Sequence, residues 1–194
     1  MFSGQKYKNF DSCIILQAFF VKQSETAGMI RIGLISDTHG HIEDALFDYF
    51  ADVDEIWHAG DMGDISVADR LRTFKPLKGV YGNCDGYDVR VEFKQHARFT
   101  VEETDVWITH IGGYPGNYAR EVKAEIFKNP PGLFVCGHSH ILKVIYDKKL
   151  RMLHINPGAA GNRGIHTVKT AVRFLIDHKQ IVDLDVLEIK RQSL

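Results

Sequence analysis

The chain has 194 residues, 44% of them hydrophobic, which is enough for one domain with one continuous core. Its 24 basic and 25 acidic side chains give a formal net charge of -1 and are scattered along the chain, so composition offers no electrostatic case for binding long nucleic acids. Three cysteines, far apart in sequence, exclude a disulfide framework and a CxxC zinc site, and a reducing cytoplasm is the simplest compartment.

The N-terminal segment 1–28 has more than one interpretation. Its apolar run at 13–21 could pass for a signal-peptide core, but Asp11 precedes the run and Glu25-Thr26-Ala27 is a poor cleavage site. Met29 directly precedes the first predicted strand, so the segment is either an extension from an upstream translation start or an extra helix or strand at the domain edge. We predict one domain at 29–194. The apolar runs are far shorter than the roughly 20 residues that span a bilayer, so we expect no membrane association.

From Met29 onward, short runs rich in Ile, Val and Leu alternate with amphipathic segments, which is typical of an α/β protein. The first half predicts strands at 30–35, 56–58 and 79–82 and helices at 42–50 and 66–74. The second half predicts a helix at 118–127 and strands at 99–101, 106–109, 133–136, 141–146, 152–155, 167–176 and 181–189. Two packed sheets with helices outside accommodate this order.

Five short polar segments directly follow predicted strands, where open α/β sheets bind ligands. They are SDTHG (36–40), HAGDMGD (58–64), GNCD (82–85), TH (109–110) and GHSH (137–140). Each is weak evidence by itself, because a lone buried histidine is more often a core residue than a ligand. As a series they are hard to explain by packing, since stability does not require ionisable groups at these places. Their carboxylate, amide and imidazole groups suit manganese, iron, zinc, nickel or cobalt better than a closed structural zinc site.

In this order, DTHG, GDMGD, GNCD, TH and GHSH resemble the motifs of the calcineurin-like metallophosphoesterase superfamily, and the resemblance covers nearly everything from Met29 to the C-terminus. GNCD, the short chain and NPGAAG (156–161) are most similar to its small bacterial and archaeal phosphodiesterase branch. The resemblance implies an α/β fold of two packed mixed β-sheets flanked by α-helices, a four-layer αββα sandwich. It also implies two metal sites and a bridging carboxylate, contributed by Asp37, His39 and His140 for the first metal, Asn83, His110 and His138 for the second, and Asp61 for the bridge.

Two divalent cations about 3.5–4 Å apart can clamp a phosphoryl group and acidify a bridging water, and the resulting hydroxide is the expected nucleophile. The two oxygens and negative charge of Asp61 suit the bridge, and Asp61, Asn83 and His110 are the candidate catalytic residues. Manganese is the expected metal, with iron, zinc, nickel, cobalt or magnesium as alternatives. Because paired metals neutralise phosphate charge, no large basic patch is needed, which agrees with the net charge of -1.

Cys84 departs from the family pattern, because many members carry histidine there, in GNHD or GNHE, to protonate the leaving oxygen or bind phosphate. Without that proton donor, esters with acidic leaving groups should react best, which favours a phosphodiesterase over a phosphomonoesterase. Cys84 and Arg163 are the candidate substrate-binding residues, although a surface role suits Arg163 better. Asp64 is followed by Ile65-Ser66 rather than by the DRG sequence that resembles protein Ser/Thr phosphatases, so we set that class aside.

Several other polar residues have two interpretations each. His58 either supports a ligand or is a buried histidine at a strand end, and Asp64 either orients a ligand or caps the next helix. We predict that the remaining histidines outside the motifs are structural or solvent-facing, among them His96, His154, His166 and His178. The pocket walls are expected from segments 112–117 and 86–91.

We expect hydrolysis of small phosphodiesters and no long nucleic acid as partner, and the sequence leaves a homo-oligomer open. The main alternative is a non-catalytic metal-binding scaffold resembling the eukaryotic retromer subunit. All seven ligand positions keep competent residues, which argues for catalysis, although fold does not guarantee function. A nuclease is a weaker alternative, because basic stretches interleaved with aromatic residues are missing from the sequence.

Overall fold

The computed structural model describes residues 28–191, so all of the predicted N-terminal extension except Gly28 lies outside the described residues. The strands of its two large sheets are β1 (Met29–Ile35), β2 (Glu55–His58), β3 (Leu77–Gly79), β4 (His96–Val101), β5 (Thr104–Thr109), β8 (Leu133–Val135), β9 (Leu142–Asp147), β10 (Met152–Pro157), β11 (Val168–Asp177) and β12 (Gln180–Lys190). A small hairpin contains β6 (Gly113–Tyr114) and β7 (Asn117–Tyr118). The helices are α1 (Ala45–Tyr49), α2 (Ile65–Phe74), α3 (Tyr87–Glu92) and α4 (Arg120–Lys128).

Both large sheets are mixed and five-stranded. The first has the order β12-β11-β1-β2-β3, and the second has the order β4-β5-β8-β10-β9. Within the first sheet, β1, β2 and β3 run parallel, and within the second, β5, β8 and β10 run parallel. Each sheet therefore has a set of adjacent carboxyl ends at one edge, where loops from neighbouring strands meet.

Three clusters of buried side chains hold the layers together. One lies between the two sheets and includes Ile32, Trp57, Val106 and Phe174. A second packs α1, α2 and α3 on the outer face of the first sheet, and a third packs α4 on the outer face of the second, through residues such as Val122, Ile126 and Phe134. Burying each large apolar side chain contributes about 1.5–3 kcal/mol. The predicted αββα architecture is confirmed.

Most predicted elements have other bounds in the structure, and two of the larger differences have a structural cause. The helix predicted at 42–50 covers only Ala45–Tyr49, because tertiary contacts hold the residues before it in a turn. The Ile42 carbonyl accepts a hydrogen bond from Arg70, and the Glu43 carboxylate pairs with Lys169 and His41. The strand predicted at 79–82 ends at Gly79, since β2, its partner, ends at His58 where the chain turns into a polar loop.

The sequence prediction missed α3 and the β6–β7 hairpin. Helix α3 buries only Val89, so its sequence lacks a periodic apolar face. The hairpin is two residues per strand and gives no alternating pattern. No helix among residues 28–191 is long and apolar enough to cross a membrane.

Candidate metal centre

The five polar segments meet at the edge formed by the carboxyl ends of β1, β2, β3, β5 and β8. The loops after β1 and β2 are joined by backbone hydrogen bonds from Asp37 N to Gly60 O and from His39 N to Asp61 O, both 3.0 Å. Five of the seven predicted ligands have left-handed backbones, namely Asp37 (φ 55), His39 (φ 48), Asp61 (φ 56), His138 (φ 68) and His140 (φ 57). Such conformations cost about 1–3 kcal/mol each and cluster at functional sites, where surrounding structure enforces them.

Asp37, His39 and His140 form one side of the centre. His140 Nε2 lies 3.2 Å from Asp37 Oδ1 and 3.3 Å from His39 Nε2. Asp37 is fully buried, and its Oδ1 and the His39 Nδ1 have no hydrogen-bond partner among the described residues. Two ring nitrogens that face each other beside an unpaired buried carboxylate oxygen are the donor set that a divalent cation satisfies.

Asp61 and His110 form the other side. His110 Nε2 lies 3.2 Å from Asp61 Oδ2 and 3.9 Å from Asp37 Oδ1. His110 Nδ1 is 2.8 Å from the Ala59 carbonyl, which can only accept, so Nδ1 carries a proton. Nε2 faces the carboxylates, where it donates to them when protonated and can ligate a cation when it is not. Asp61 Oδ2 is also 4.0 Å from His39 Nε2. Asp61 therefore lies between the two sides.

Asn83 and His138, the two remaining predicted ligands, lie at the exposed rim. The His138 ring is 5.3 Å from the His110 ring, and its backbone N–H donates to Asp37 Oδ2 at 3.0 Å. Asn83 lines the same cavity as His110. Cys84 also reaches the centre, with its sulfur within 4.8 Å of one donor atom each of His39 and Asp61. The structure thus gathers five predicted ligands at the centre and leaves two beside it.

The charges at the centre favour a cation. Burial would raise the pKa of Asp61, but hydrogen bonds from His110 and the Cys84 backbone hold that pKa well below its usual range. Burial would likewise lower the pKa of His110, yet the Asp61 and Asp37 carboxylates raise it above its usual value. The Asp37 carboxylate, 3.2 Å from its ring, raises the pKa of His140. Protons and cations therefore compete for the same negatively charged site.

Glycines let the loops approach these ligands closely. Gly60 has φ +94, and a Cβ atom there would lie 2.7 Å from the His110 ring. A Cβ atom at Gly82 would overlap the Asp61 carboxylate. Backbone without side chains at both positions is therefore part of how Asp61 and His110 are placed.

His58 supports the centre without touching it. It is fully buried, and its Nδ1 accepts a hydrogen bond from the Gly60 N–H at 3.1 Å. Its Nε2–H then donates to Thr38 Oγ1 at 2.9 Å, and Thr38 donates to the Met62 carbonyl at 3.1 Å. Because Nδ1 must accept, His58 is neutral, and burial lowers its pKa to about 4. Of the two interpretations of His58, the structure favours a buried residue that joins the two metal-site loops.

This histidine should make stability depend on pH. The unfolded chain takes up a proton near pH 6.5, whereas the folded protein does so only near pH 4, so stability is lost as pH falls below 6.5. Between pH 7 and pH 5, we expect the free energy of unfolding of metal-free protein to fall about 2 kcal/mol more than that of His58→Asn, whose side-chain oxygen can still accept from Gly60. Urea unfolding at the two pH values measures the difference. If the free energy of unfolding fell by the same amount in the two proteins between pH 7 and pH 5, His58 would not be neutral in the folded protein.

Other polar residues have clearer roles in the structure than in the sequence. Asp64 caps α2, accepting from the Ser66 N–H at 2.8 Å, so of its two interpretations the cap is correct. Arg163 is exposed, and its positive charge adds to the burial that lowers the pKa of His39. His154 is buried with Nε2 3.0 Å from the Gly113 carbonyl, and His178 lies exposed in a turn.

Sequence reasoning missed the residues that hold the ligand loops in place. Asp85 accepts from the Gly63 and Gly82 N–H groups at 2.6 and 2.7 Å, which ties the loop after β2 to the loop after β3. Arg90 donates to the carbonyls of Asp85, Gly82 and Asn83. Asp85 was visible as the last residue of GNCD. Arg90 gave no local signal, because it lies on the helix that the pattern did not predict.

Three comparisons with known proteins show which family and fold this chain shares. The model of the calcineurin-like phosphoesterase superfamily domain matches residues 30–179. A probable metallophosphoesterase from Methanothermobacter thermautotrophicus is 30% identical over 135 residues, covering 66% of this chain and 76% of the relative. An archaeal phosphodiesterase structure has a TM-score of 0.64 at 20% identity, covering 82% of this chain and 100% of that one. Vps29 from Entamoeba histolytica, complexed with zinc, has a TM-score of 0.64 at 16% identity, covering 83% and 99%.

Proposed function

Because the chain belongs to the calcineurin-like phosphoesterase superfamily, we propose that it is a metal-dependent phosphodiesterase acting on small phosphodiesters. The observation that carries this proposal is the position of Asp61. Its Oδ2 lies 3.2 Å from His110 Nε2 and 4.0 Å from His39 Nε2, with the unpaired Asp37 Oδ1 beside them. One carboxylate between two sets of nitrogen donors is suited to two cations that share it.

In the proposed arrangement, Asp37, His39 and His140 hold one divalent cation, Asn83, His110 and His138 hold the other, and Asp61 contacts both. When bound, the pair would neutralise charge on the phosphoryl oxygens and acidify an attacking water. Manganese is our first choice of metal, and iron, zinc, nickel, cobalt and magnesium are compatible with the same ligands. The Ala59 carbonyl keeps His110 in the tautomer that ligation requires, and the exposed rim at Asn83 and His138 admits the substrate.

The preference for diesters rests on Cys84. Burial raises the pKa of its thiol, and the Asp61 carboxylate adds to the effect, so the thiol is a weak proton donor at neutral pH. The alcohol of a simple alkyl monoester leaves as a poorly stabilised alkoxide, so its departure needs a proton from such a group. Diesters with acidic leaving groups need it less. Arg163, exposed near the centre, is the proposed contact for a phosphoryl oxygen.

The test compares bis(p-nitrophenyl) phosphate, followed by the colour of released p-nitrophenolate, with alkyl phosphomonoesters, followed by released inorganic phosphate, at saturating manganese. We expect bis(p-nitrophenyl) phosphate to be hydrolysed, and alkyl phosphomonoesters to react at least about tenfold more slowly. Chelation or Asp37→Ala should abolish turnover of the diester. His178→Ala, in an exposed turn, is the matched control and should retain activity.

Other outcomes separate the alternatives. Metal bound at full stoichiometry with no hydrolysis of any ester would favour a non-catalytic scaffold. Diester hydrolysis that persists in chelator, or in Asp37→Ala, would refute a metal-dependent reaction at this centre. Cleavage of DNA with steep salt dependence would instead favour a nuclease.

A further inference from the structure

A cavity of about 190 Å³ opens directly beside the metal centre, next to Asn83 and His110. Its other polar lining residues are Tyr81, Arg90, Gln95, His96, Thr109 and Glu121. His96 is the first residue of β4, Gln95 directly precedes it, and Glu121 lies in the first turn of α4. A substrate whose phosphoryl group reached Asn83 and His110 would extend one of its ester arms into this space.

His96 is held in the wall of the cavity by the second sheet. It pairs across the sheet with Thr109, the residue before His110, and its ring packs edge-on against Trp107 at 5.9 Å. Its Nδ1 is buried and has no hydrogen-bond partner among the described residues. That nitrogen has no exposed surface, so a ligand in the cavity would meet the other ring nitrogen, Nε2, where a hydrogen bond contributes about 0.5–1.5 kcal/mol.

The charges and hydrogen-bonding groups of the cavity determine which kind of ligand fits it. Burial lowers the pKa of His96, so its imidazole is neutral at pH 7, with one nitrogen that donates and one that accepts. The Glu121 carboxylate accepts hydrogen bonds and repels anions, which disfavours a second phosphate. The guanidinium of Arg90, also in the lining, is already bonded to the carbonyls of Asp85, Gly82 and Asn83. Neutral hydroxyl groups, which both donate and accept, match this set best.

Resting on the proposed phosphodiesterase function, we propose that this cavity binds one alcohol arm of the diester, a neutral group bearing hydroxyls such as glycerol or a sugar, and that His96 is its specificity-determining residue. The preferred substrates are then diesters with at least one polyhydroxylated arm. Aliphatic arms of equal length bind more weakly, because they displace water from His96 Nε2 and the Glu121 carboxylate without replacing its hydrogen bonds.

Two substrates of equal length test the assignment: glyceryl p-nitrophenyl phosphate and propyl p-nitrophenyl phosphate, which differ only by two hydroxyl groups. Consumption of each ester is followed by chromatography, so that loss of either arm is detected. We expect a lower KM for the glyceryl ester. His96→Ala should raise that KM about tenfold, the value of one good hydrogen bond, and change the propyl KM less than about twofold. His96→Gln, which keeps a donor and an acceptor, should restore part of the preference, and His178→Ala should not change it.

Glu121→Gln is the second probe, since Glu121 is an exposed helix residue whose replacement leaves the core intact. It should also raise the KM of the glyceryl ester selectively. Equal KM values for the two esters in wild type, or equal effects of both variants on the two esters, would overturn the assignment of the cavity while diester hydrolysis stands. No turnover of either ester by the manganese-loaded protein would refute the proposed function, and this assignment with it.

Discussion

Asp61→Ala will lower both bound metal and diester hydrolysis, with an expected loss of activity of at least about a hundredfold. The carboxylate is 3% exposed and lies between His110 and His39. In the proposed two-metal centre, its removal would take away the negative charge that offsets repulsion between the cations and would leave the neighbouring imidazoles without their carboxylate partner. Elemental analysis of the purified variant, together with the chromogenic diester assay, measures both losses.

Asp61→Asn separates charge from shape, because its amide oxygen can still accept from the Cys84 N–H, as Asp61 Oδ1 does at 2.8 Å. We expect it to keep the loop in place and still lose metal, since the amide has no negative charge. Asp69→Ala, which removes a carboxylate that is 65% exposed on α2, is the matched control and should bind metal normally. A full complement of metal in Asp61→Ala would contradict the bridging position.

Gly82→Ala should damage the centre without removing any ligand. The added Cβ would overlap Asp61 Oδ1 and Cγ and the Asp61 backbone nitrogen, so the carboxylate must move. The backbone of Gly82 does not have a positive φ, so the effect arises from the collision and not from strain in the new alanine. Displacement of a reacting group by about 1 Å can cost about a hundredfold in rate, and we expect a loss of this order.

Gly86→Ala, four residues later, provides the control. Its backbone has φ -75, and a Cβ atom there has no heavy atom within 4 Å among the described residues. Its stability should change by less than about 1 kcal/mol, and its metal content and diester activity should match wild type. If Gly82→Ala and Gly86→Ala behaved alike in both measurements, the close approach of Gly82 to Asp61 would have no functional consequence.

Much of the fold could be predicted because buried strands leave a strong local pattern. The apolar runs that form β1, β2, β5 and β8 are short, contain β-branched residues and end in polar residues. This pattern predicts the strands, and it also predicts the edge of the sheets where the polar side chains lie. Helix α3 and the β6–β7 hairpin bury few residues. Tertiary contacts decide their structure, and those contacts leave no period in the sequence.

The candidate ligands could be located in the sequence for a similar reason, since each follows a strand end. What could not be predicted is how they are held. Asp and His tolerate left-handed backbone better than most residues, but nothing in DTHG or GHSH indicates which positions adopt it. Arg90 and His96 are separated from the motifs along the chain and reach the site only because α3 and β4 fold beside it. Such neighbours depend on three-dimensional packing.

The candidate centre takes side chains from both sheets: Asp37 and Asp61 follow strands of the first, while His110 and His140 follow strands of the second. Hydrophobic contacts between the two sheets are not directional, so by themselves they would allow one sheet to slide slightly over the other. Coordination is directional and short-ranged. Bound cations would therefore fix the relative position of the two sheets at this edge, which the hydrophobic layer alone does not fix.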